Sequence, residues 1–362
     1  MCQEGRNDMQ KVIHQIPNIH PIFDDFDRLY NQLSVKVEEK SNNLFSTNIY
    51  SPIFSELYDM FVTHGHIGNI QYLDKSYSPL KVPKNTENNI IVCFSGGKDS
   101  TAVAKHYMEE GKNVFLYHMK NINPSMVDEA KISKDIADYL GLPIYIDTIR
   151  LSGHHDYIEH PMKNMIILNS VLQYGIREGI GVNIATGNYK TSTLADDNFE
   201  FCGGDDIEMW EIYDKIIGNV LQDFHVQIPL DSLDDSLEAV CYDWDLLDKT
   251  VSCLSRASLR NHWHEWVKNK YGITIPKYRC GRCYKCCIEY IYMADNDLMP
   301  YNEEYYKYCF INLRRNFQRE DSNKYTNREV WEHYFGYSME ESKYFNTKII
   351  RNYHMSRITD VQ

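Results

Sequence analysis

From residue 90 onwards the chain alternates short apolar runs with amphipathic stretches. The apolar runs are partly β-branched and predict buried strands, whereas apolar residues recurring every three or four positions predict helices. The strands are expected at 90–94, 113–118, 143–149, 182–186 and 224–228, and the helices at 99–110, 126–140, 162–178, 206–221 and 233–241. This alternation predicts an α/β fold with a doubly wound, Rossmann-like parallel sheet covered by helices on both faces.

The segments on either side of this pattern predict helical additions. Apolar residues at helical spacing lie within 21–39 and 51–64, and the polar stretch 84–89 is expected to be a linker. We therefore expect four regions along the chain. They are a mainly helical N-terminal extension (1–88), an α/β domain (89–250), a cysteine-rich segment (251–290) and a helical C-terminal extension (291–362).

The first predicted strand runs directly into a glycine-containing turn that opens the first predicted helix, Ser95-Gly96-Gly97-Lys98-Asp99-Ser100. Two glycines let backbone N–H groups approach a ligand, and a helix start adds unpaired donors and a positive dipole end. A phosphate is the natural ligand, although an ordinary strand–turn–helix corner is the alternative. This is not the P-loop of kinases and GTPases, because Asp99 follows Lys98 and Val92 stands where that motif needs glycine.

The composition is that of a globular protein with 43% hydrophobic and 25% charged residues. The excess of 51 acidic over 38 basic residues, a net charge of −13, disfavours extended binding to nucleic acid. No segment approaches the roughly 18 apolar residues of a membrane span. The first thirty residues mix acidic with apolar side chains and show no signal-peptide pattern, so a cytoplasmic location is expected.

Four of the ten cysteines lie within eight positions, which suits a metal site in a reducing compartment better than a disulfide framework. Cys280, Cys283 and Cys286 share one tight loop, and Cys253 can supply a fourth thiolate for a closed tetrahedral zinc site. An iron–sulfur cluster is the rival, but the ferredoxin pattern needs a cysteine where Tyr290 stands. Unligated thiols are the third reading, and Cys287 is either an alternative ligand or a bystander.

The glycine-containing turn resembles the S-G-G-x-D-S motif of the ATP pyrophosphatase superfamily. Further motifs, in the same order along the chain, resemble those of its 7-cyano-7-deazaguanine synthase branch, which belongs to the queuosine pathway. These motifs are Glu129-Ala130, Pro161-Met162-Lys163-Asn164, Thr186-Gly187, Ile228-Pro229-Leu230, Thr250-Val251-Ser252-Cys253 and the C-G-x-C-x-x-C run from Cys280. The resemblance extends over roughly residues 90 to 290.

This resemblance implies an ATP-dependent C–N ligase that uses ATP, Mg2+ and Zn2+. A carboxylic acid, most simply one of the 7-carboxy-7-deazaguanine type, would attack the α-phosphate of ATP and release pyrophosphate. An amine donor, either ammonia or a larger amine, would then convert the acyl-adenylate into an amide. A second adenylation would dehydrate this amide to a nitrile.

The resemblance also implies roles for individual residues. Charge grows on the leaving pyrophosphate, so hydrogen-bond donors and a cation are needed around it. The donors would be Ser95, Gly96, Gly97 and Ser100, with Lys98 as the cation. Asp99 would hold Mg2+, and Lys98, Asp99 and Ser100 form the predicted catalytic set. The remaining predicted ATP-binding residues are His118, Lys163, Asn164 and Gly187.

Other polar residues leave their roles open. Asp205, Asp206 and Glu208 stand at a predicted loop–helix junction, where they would recognise an amino-purine edge or a second Mg2+. A solvated first helical turn is the alternative, since acidic residues are favoured there. The loop after the third predicted strand contains His154, His155, Asp156 and His160. One of them could act as a general base, but a lid or surface role is favoured for this loop.

This sequence departs from the branch at several points: Lys163 replaces an arginine, and residues 202–208 lack the arginine of the corresponding family segment. The interval between Cys253 and Cys280 is also enlarged. These departures, with the two flanks, favour an amide ligase that joins the acid to a protein or nucleotide amine, as relatives occur in bacterial antiphage defence. A non-catalytic nucleotide-binding module is disfavoured by the intact turn. The flanks would serve for a homodimer or a protein partner.

Overall fold

The computed structural model describes residues 11–13, 17–26, 45–46, 70–71, 77–120, 129–148, 150–152, 163–190, 207–253, 255, 257–317 and 342–344. The strands are β1 (Lys11–Ile13), β2 (Phe45–Ser46), β3 (Ile70–Gln71), β4 (Asn89–Cys93), β5 (Asn113–Lys120), β6 (Ile144–Thr148), β7 (Arg150–Ser152), β8 (Ile184–Ala185) and β9 (Val226–Gln227). The helices are α1 (Lys98–Glu109), α2 (Glu129–Leu140), α3 (Lys163–Arg177), α4 (Ile207–Gly218), α5 (Leu233–Cys241), α6 (Trp244–Lys249), α7 (Ala257–Tyr271), α8 (Tyr284–Asp295) and α9 (Glu303–Phe317).

The central feature is a five-stranded, all-parallel sheet of order β6-β5-β4-β8-β9. Ile91 of β4 pairs with Phe115 on one side and Ile184 on the other, so β4 is the middle strand. The strand order reverses at β4, because the chain adds β5 and β6 on one side and then β8 and β9 on the other. Parallel α/β sheets bind ligands beyond the carboxyl ends of their strands, at such a reversal. The predicted α/β class and parallel sheet are confirmed.

The chain divides into two compact units: residues 1–96 with 103–231, and residues 97–102 with 232–362. The core of the first unit packs α3 and α4 against the sheet. Val171 and Leu172 of α3 are fully buried in the same cluster as Ile91, and Phe26 of the helical segment 21–26 lies 5.6 Å from the Tyr213 ring of α4. Burying each such side chain contributes about 1.5–3 kcal/mol.

The second unit is helical, and α8 is its central element. Every residue of α8 from Cys286 to Ala294 is buried. Aromatic rings join it to α9: the centres of Tyr290 and Tyr305 lie 4.4 Å apart, and the Tyr290 hydroxyl donates to the carbonyl of Pro300 at 3.2 Å. The predicted C-terminal helical addition is therefore part of a packed unit as far as residue 317.

Each strand and helix predicted between residues 90 and 241 occurs, with ends that differ by a few residues. The antiparallel pairing of β1 with β7 was not predicted. Of the helix expected at 21–39, residues 21–26 are helical; its remainder and the helix expected at 51–64 lie outside the described residues. No helix within the described ranges has the length and apolarity needed to cross a membrane.

Candidate functional site

The turn after β4 requires glycine at position 96. The N–H of Phe94 donates to the carbonyl of Tyr117 at 2.8 Å, so pairing with β5 continues up to the turn. Gly96 then adopts φ +76°, which is left-handed. An added Cβ would lie 2.9 Å from Ser133 Oγ and 3.3 Å from Ile132 Cγ2 of α2. Backbone conformation and the close approach of α2 both disfavour a side chain here.

His118 supports this turn from within the first unit. Its ring is 2% exposed, and Nδ1 lies 2.9 Å from the Phe94 carbonyl oxygen and 3.1 Å from Ser133 Oγ. Because a carbonyl oxygen only accepts, Nδ1 carries the proton in this arrangement. The side chain thus joins the strand end to α2, immediately beside Gly96.

Lys98 and Asp99 form a polar cluster with Ser236 of α5 in the second unit. Lys98 Nζ makes an ion pair with Asp99 and donates to Ser236 Oγ at 3.1 Å, while Ser236 Oγ donates to Asp99 Oδ1 at 2.6 Å. The Lys98 side chain is 4% exposed and that of Asp99 is 29% exposed. Ser236 was not predicted, because nothing in the local sequence of α5 distinguishes it from any other buried helical serine.

The charge of Asp99 is fixed by these neighbours. Burial alone raises the pKa of Asp99, but the charges of Lys98 and Lys285 and the hydrogen bonds from Lys98 and Ser236 outweigh it. Together they lower the pKa from 3.8 to about 2. Asp99 is therefore an ionised, partly exposed carboxylate, which is the kind of oxygen ligand that Mg2+ prefers.

Side chains also fix the first turn of α1. The hydroxyls of Ser100 and Thr101 donate to the carbonyl of Gly97 at 3.2 and 2.8 Å. The N–H of Lys98 donates to Ser252 Oγ at 3.2 Å. Side chains of α1 itself and the Ser252 hydroxyl, one residue before Cys253, therefore both hold the backbone at the start of α1.

The other predicted ATP-binding residues lie in the first unit. Thr186 follows β8 and donates its N–H to the carbonyl of Gln227 at 3.1 Å, so Gly187 lies just beyond the carboxyl end of the strand. This strand neighbours β4, which places Gly187 at the same edge of the sheet as Gly96. Asn164 is half-buried in the first turn of α3, whose first residue is Lys163.

For several predicted residues the structure does not describe the position of the side chain. The backbone positions of Lys163 and Glu208 fall in α3 and α4, but their side chains are not among those described. The remaining predicted residues lie outside the described ones: the acids Asp205 and Asp206, and the loop residues His154, His155, Asp156 and His160.

The four predicted cysteines come together in the second unit. The Sγ atoms of Cys253, Cys280, Cys283 and Cys286 all lie within 4.8 Å of one another. The Cys280–Cys286 and Cys283–Cys286 sulfur pairs are 3.9 and 3.4 Å apart. Zinc–sulfur bonds of about 2.3 Å in a tetrahedron place sulfurs about 3.8 Å apart. The cluster can therefore hold a single metal ion such as zinc, as predicted.

Backbone donors stabilise thiolates in this cluster. The N–H groups of Arg282 and Cys283 donate to Cys280 Sγ at 3.3 and 3.2 Å, and the N–H of Ser255 donates to Cys253 Sγ at 3.4 Å. Hydrogen bonds from the other three cysteines lower the pKa of Cys253. These features suit the deprotonated ligands that a zinc ion requires.

The loop geometry separates the four ligands from the fifth cysteine. Gly281 has φ +68°, and a Cβ there would lie 2.6 Å from Tyr305 Oη and 2.7 Å from Val267 Cγ2. The tight loop that this glycine permits directs Cys280 and Cys283 into the cluster. Cys287 Sγ instead donates to the carbonyl of Arg282 at 3.6 Å and is not a member of the group. Of the two readings of Cys287, the bystander is correct.

Comparison of the chain with models of known protein families finds no match, and a search of curated proteins finds no significant match. The features that bear on function are therefore the turn after β4, the polar cluster at Asp99 and the cysteine group.

Proposed function

We propose that this protein is an ATP-dependent ligase that adenylates a carboxylic acid and releases pyrophosphate. One observation carries the proposal: the S-G-G-K-D-S turn follows the middle strand of a parallel sheet, at the point where the strand order reverses. This is where α/β proteins bind nucleotide phosphates. The resemblance of the turn to that of the ATP pyrophosphatases favours cleavage between the α- and β-phosphates.

The residues of the turn meet the main chemical demand, which is to stabilise charge on the leaving pyrophosphate. Backbone N–H groups of the turn would be the donors for this charge. The Ser100 hydroxyl donates to the Gly97 carbonyl at 3.2 Å and would join them by turning towards the bound phosphate. Lys98 keeps Asp99 oriented and ionised through their ion pair, and Ser236 holds both groups. Bound Mg2+ would neutralise charge on the phosphates, and the Asp99 carboxylate is the group that would hold it.

The metal held by the four cysteines has a structural role in this proposal. Four thiolates complete a tetrahedral shell and leave no open position for a substrate. Such closed sites stabilise segments of chain that have few apolar contacts of their own. The metal would therefore organise residues 253–286 rather than take part in the reaction.

The proposed acid is of the 7-carboxy-7-deazaguanine type, and this part of the proposal rests on the resemblance to 7-cyano-7-deazaguanine synthases. Ammonia would give the amide and, after a second adenylation, the nitrile. A ligase that joins the acid to a larger amine is the second candidate. It is favoured by α9, which enlarges the metal-binding unit through hydrogen bonds from the Tyr305 hydroxyl to the carbonyl of Gly281 and from Arg282 to the Tyr308 hydroxyl.

Analysis of products tests the proposal. The protein is incubated with ATP, Mg2+, a deazapurine carboxylic acid and ammonia, and the nucleotides and the acid product are identified by mass spectrometry. We expect AMP and pyrophosphate, with about two ATP consumed for each nitrile formed. A single ATP per product and a need for a larger amine would favour the second candidate. ADP and phosphate as the only products would contradict both.

A further inference from the structure

The segment from Thr250 to Cys253 is held at both ends. Arg279 donates from Nη2 to Thr250 Oγ1 at 2.9 Å and from Nη1 to the Thr250 carbonyl. At the other end, Cys253 belongs to the metal-binding group. Two residues, Val251 and Ser252, therefore separate the buried arginine contact from the cysteine group.

The anchor at Thr250 is itself fixed close to the other metal ligands. Arg279 is 1% exposed, and its Nε makes an ion pair of 2.6 Å with Glu289 of α8. Arg279 directly precedes Cys280, and Glu289 lies one helical turn beyond Cys286. Both ends of the segment thus depend on the elements that surround the metal site.

Ser252 lies between these two anchors and contacts α1. Its hydroxyl accepts the hydrogen bond from the N–H of Lys98 at 3.2 Å. Lys98 is the first residue of α1, and N–H groups of a first helical turn have no acceptor within their own helix. The contact therefore fixes the backbone beside Asp99, within the second unit.

We propose that Ser252 is a positioning residue through which the metal-binding cysteine group sets the geometry of the turn at Lys98 and Asp99. With the metal bound, Cys253 and Thr250 hold the segment so that the Ser252 hydroxyl stays at the Lys98 N–H. Without it, the Cys253 end of the segment loses its anchor, and Ser252 can move away from the Lys98 N–H. The Thr250 end keeps its contacts with Arg279 and with the carbonyls of Leu246 and Leu247. The effect on ATP binding rests on the proposed function; the effect on the Lys98 amide does not.

Hydrogen exchange of the Lys98 amide in the full chain tests the proposal directly. Peptide fragmentation and mass spectrometry resolve this amide in wild type, in Ser252→Ala and in wild type treated with a zinc chelator. We expect about tenfold faster exchange in the last two, the size of effect that follows loss of one hydrogen bond. Ser252→Thr, which keeps a hydroxyl, should restore slow exchange. Ser255→Ala is the matched control, since its N–H still donates to Cys253 Sγ.

Titration with ATP, together with zinc analysis, completes the test. Ser252→Ala should keep its zinc and melting temperature but bind ATP about tenfold more weakly, and Ser252→Thr should bind it as wild type does. Unchanged Lys98 exchange in Ser252→Ala or in the chelated protein would overturn the inference. Loss of zinc from Ser252→Ala would also overturn it, because the hydroxyl would then act on the metal site. If wild type binds no ATP, the proposed function fails, whereas the exchange result still decides the coupling.

Discussion

The ionised state of Asp99 depends on residues from three distant parts of the sequence. Lys98 precedes it, Ser236 lies 137 positions away and Lys285 lies between Cys283 and Cys286. Lys98 and Asp99 were predictable because they belong to one short motif. Ser236 was not predictable, since a hydrogen bond between distant segments requires no particular sequence in either segment. The residues that were predicted therefore lie next to each other in the sequence. Ser236 and Lys285, which help to lower the pKa of Asp99, lie far from it in the sequence.

The lowered pKa of Asp99 predicts how stability changes with pH. Folding lowers this pKa from 3.8 to about 2, so the folded state binds the proton less well than the unfolded state. The stability that Asp99 contributes is therefore present above about pH 4 and is lost as pH falls towards about 2. Urea unfolding of wild type and of Asp99→Asn between these two pH values measures the contribution of Asp99 to the free energy of unfolding. The difference in unfolding free energy should shrink with falling pH; a constant difference would contradict the assigned pKa.

The same substitution predicts the loss of chemistry. Asp99→Asn keeps the size of the side chain but removes the charge that would hold Mg2+, so release of AMP and pyrophosphate should fall at least about 100-fold. The fold should persist, as judged by circular dichroism. Asp245→Asn, an exposed acid of α6 in the same unit, serves as the matched control and should retain full activity. Equal activity of the two variants would remove Asp99 from the mechanism.

At the scale of elements, the sheet and its helices were predictable because strands buried on both faces form continuous apolar runs. β4 and β5 are of this kind. By contrast, β1 and β7 have three residues each, and their pairing joins Val12 to Leu151. So short a strand carries no periodic signal, and its partner is chosen by tertiary contacts. The cysteine spacing predicted the group of four thiols that the structure brings together, because metal geometry restricts spacing far more strongly than packing does.

A pair of glycine substitutions tests the packing of the turn against α2. Gly96 and Gly111 have similar φ values of +76° and +73°, but an added Cβ meets Ser133 at the first and open space at the second. Gly111→Ala should cost only the left-handed strain of about 1–2 kcal/mol. Gly96→Ala should cost about 1–3 kcal/mol more, from the added contact. Denaturant unfolding measures both, and equal losses would contradict the close approach of α2 to the turn.

The metal site predicts different outcomes for two neighbouring cysteines. Purified protein should contain about one zinc per chain, as a single tetrahedral site requires. Cys283→Ser should lose the metal and melt at a lower temperature, because it removes one of four ligands. Cys287→Ser should keep both, since its sulfur lies outside the group. Elemental analysis checks the metal content; iron with inorganic sulfide, or zinc lost equally from both variants, would refute the assignment.

At the scale of the whole molecule, the two compact units do not follow the order of the sequence. Residues 97–102, which open α1, group with 232–362, whereas the rest of α1 groups with the sheet. The sequence places α5 within the α/β pattern because an amphipathic helix has the same periodicity whatever it packs against. Its buried face, with Leu237 and Val240, is visible in the sequence, but the surface that covers this face is not.

The chemistry proposed for the molecule requires an acyl-adenylate that can re-form ATP from pyrophosphate. Exchange of labelled pyrophosphate into ATP tests this central claim most directly. We predict exchange that requires Mg2+ and a carboxylic acid, needs no amine, and is lost in Asp99→Asn. Exchange without any acid, or conversion of ATP only to ADP and phosphate whichever acid is supplied, would contradict the proposal that this protein activates a carboxylic acid at the α-phosphate of ATP.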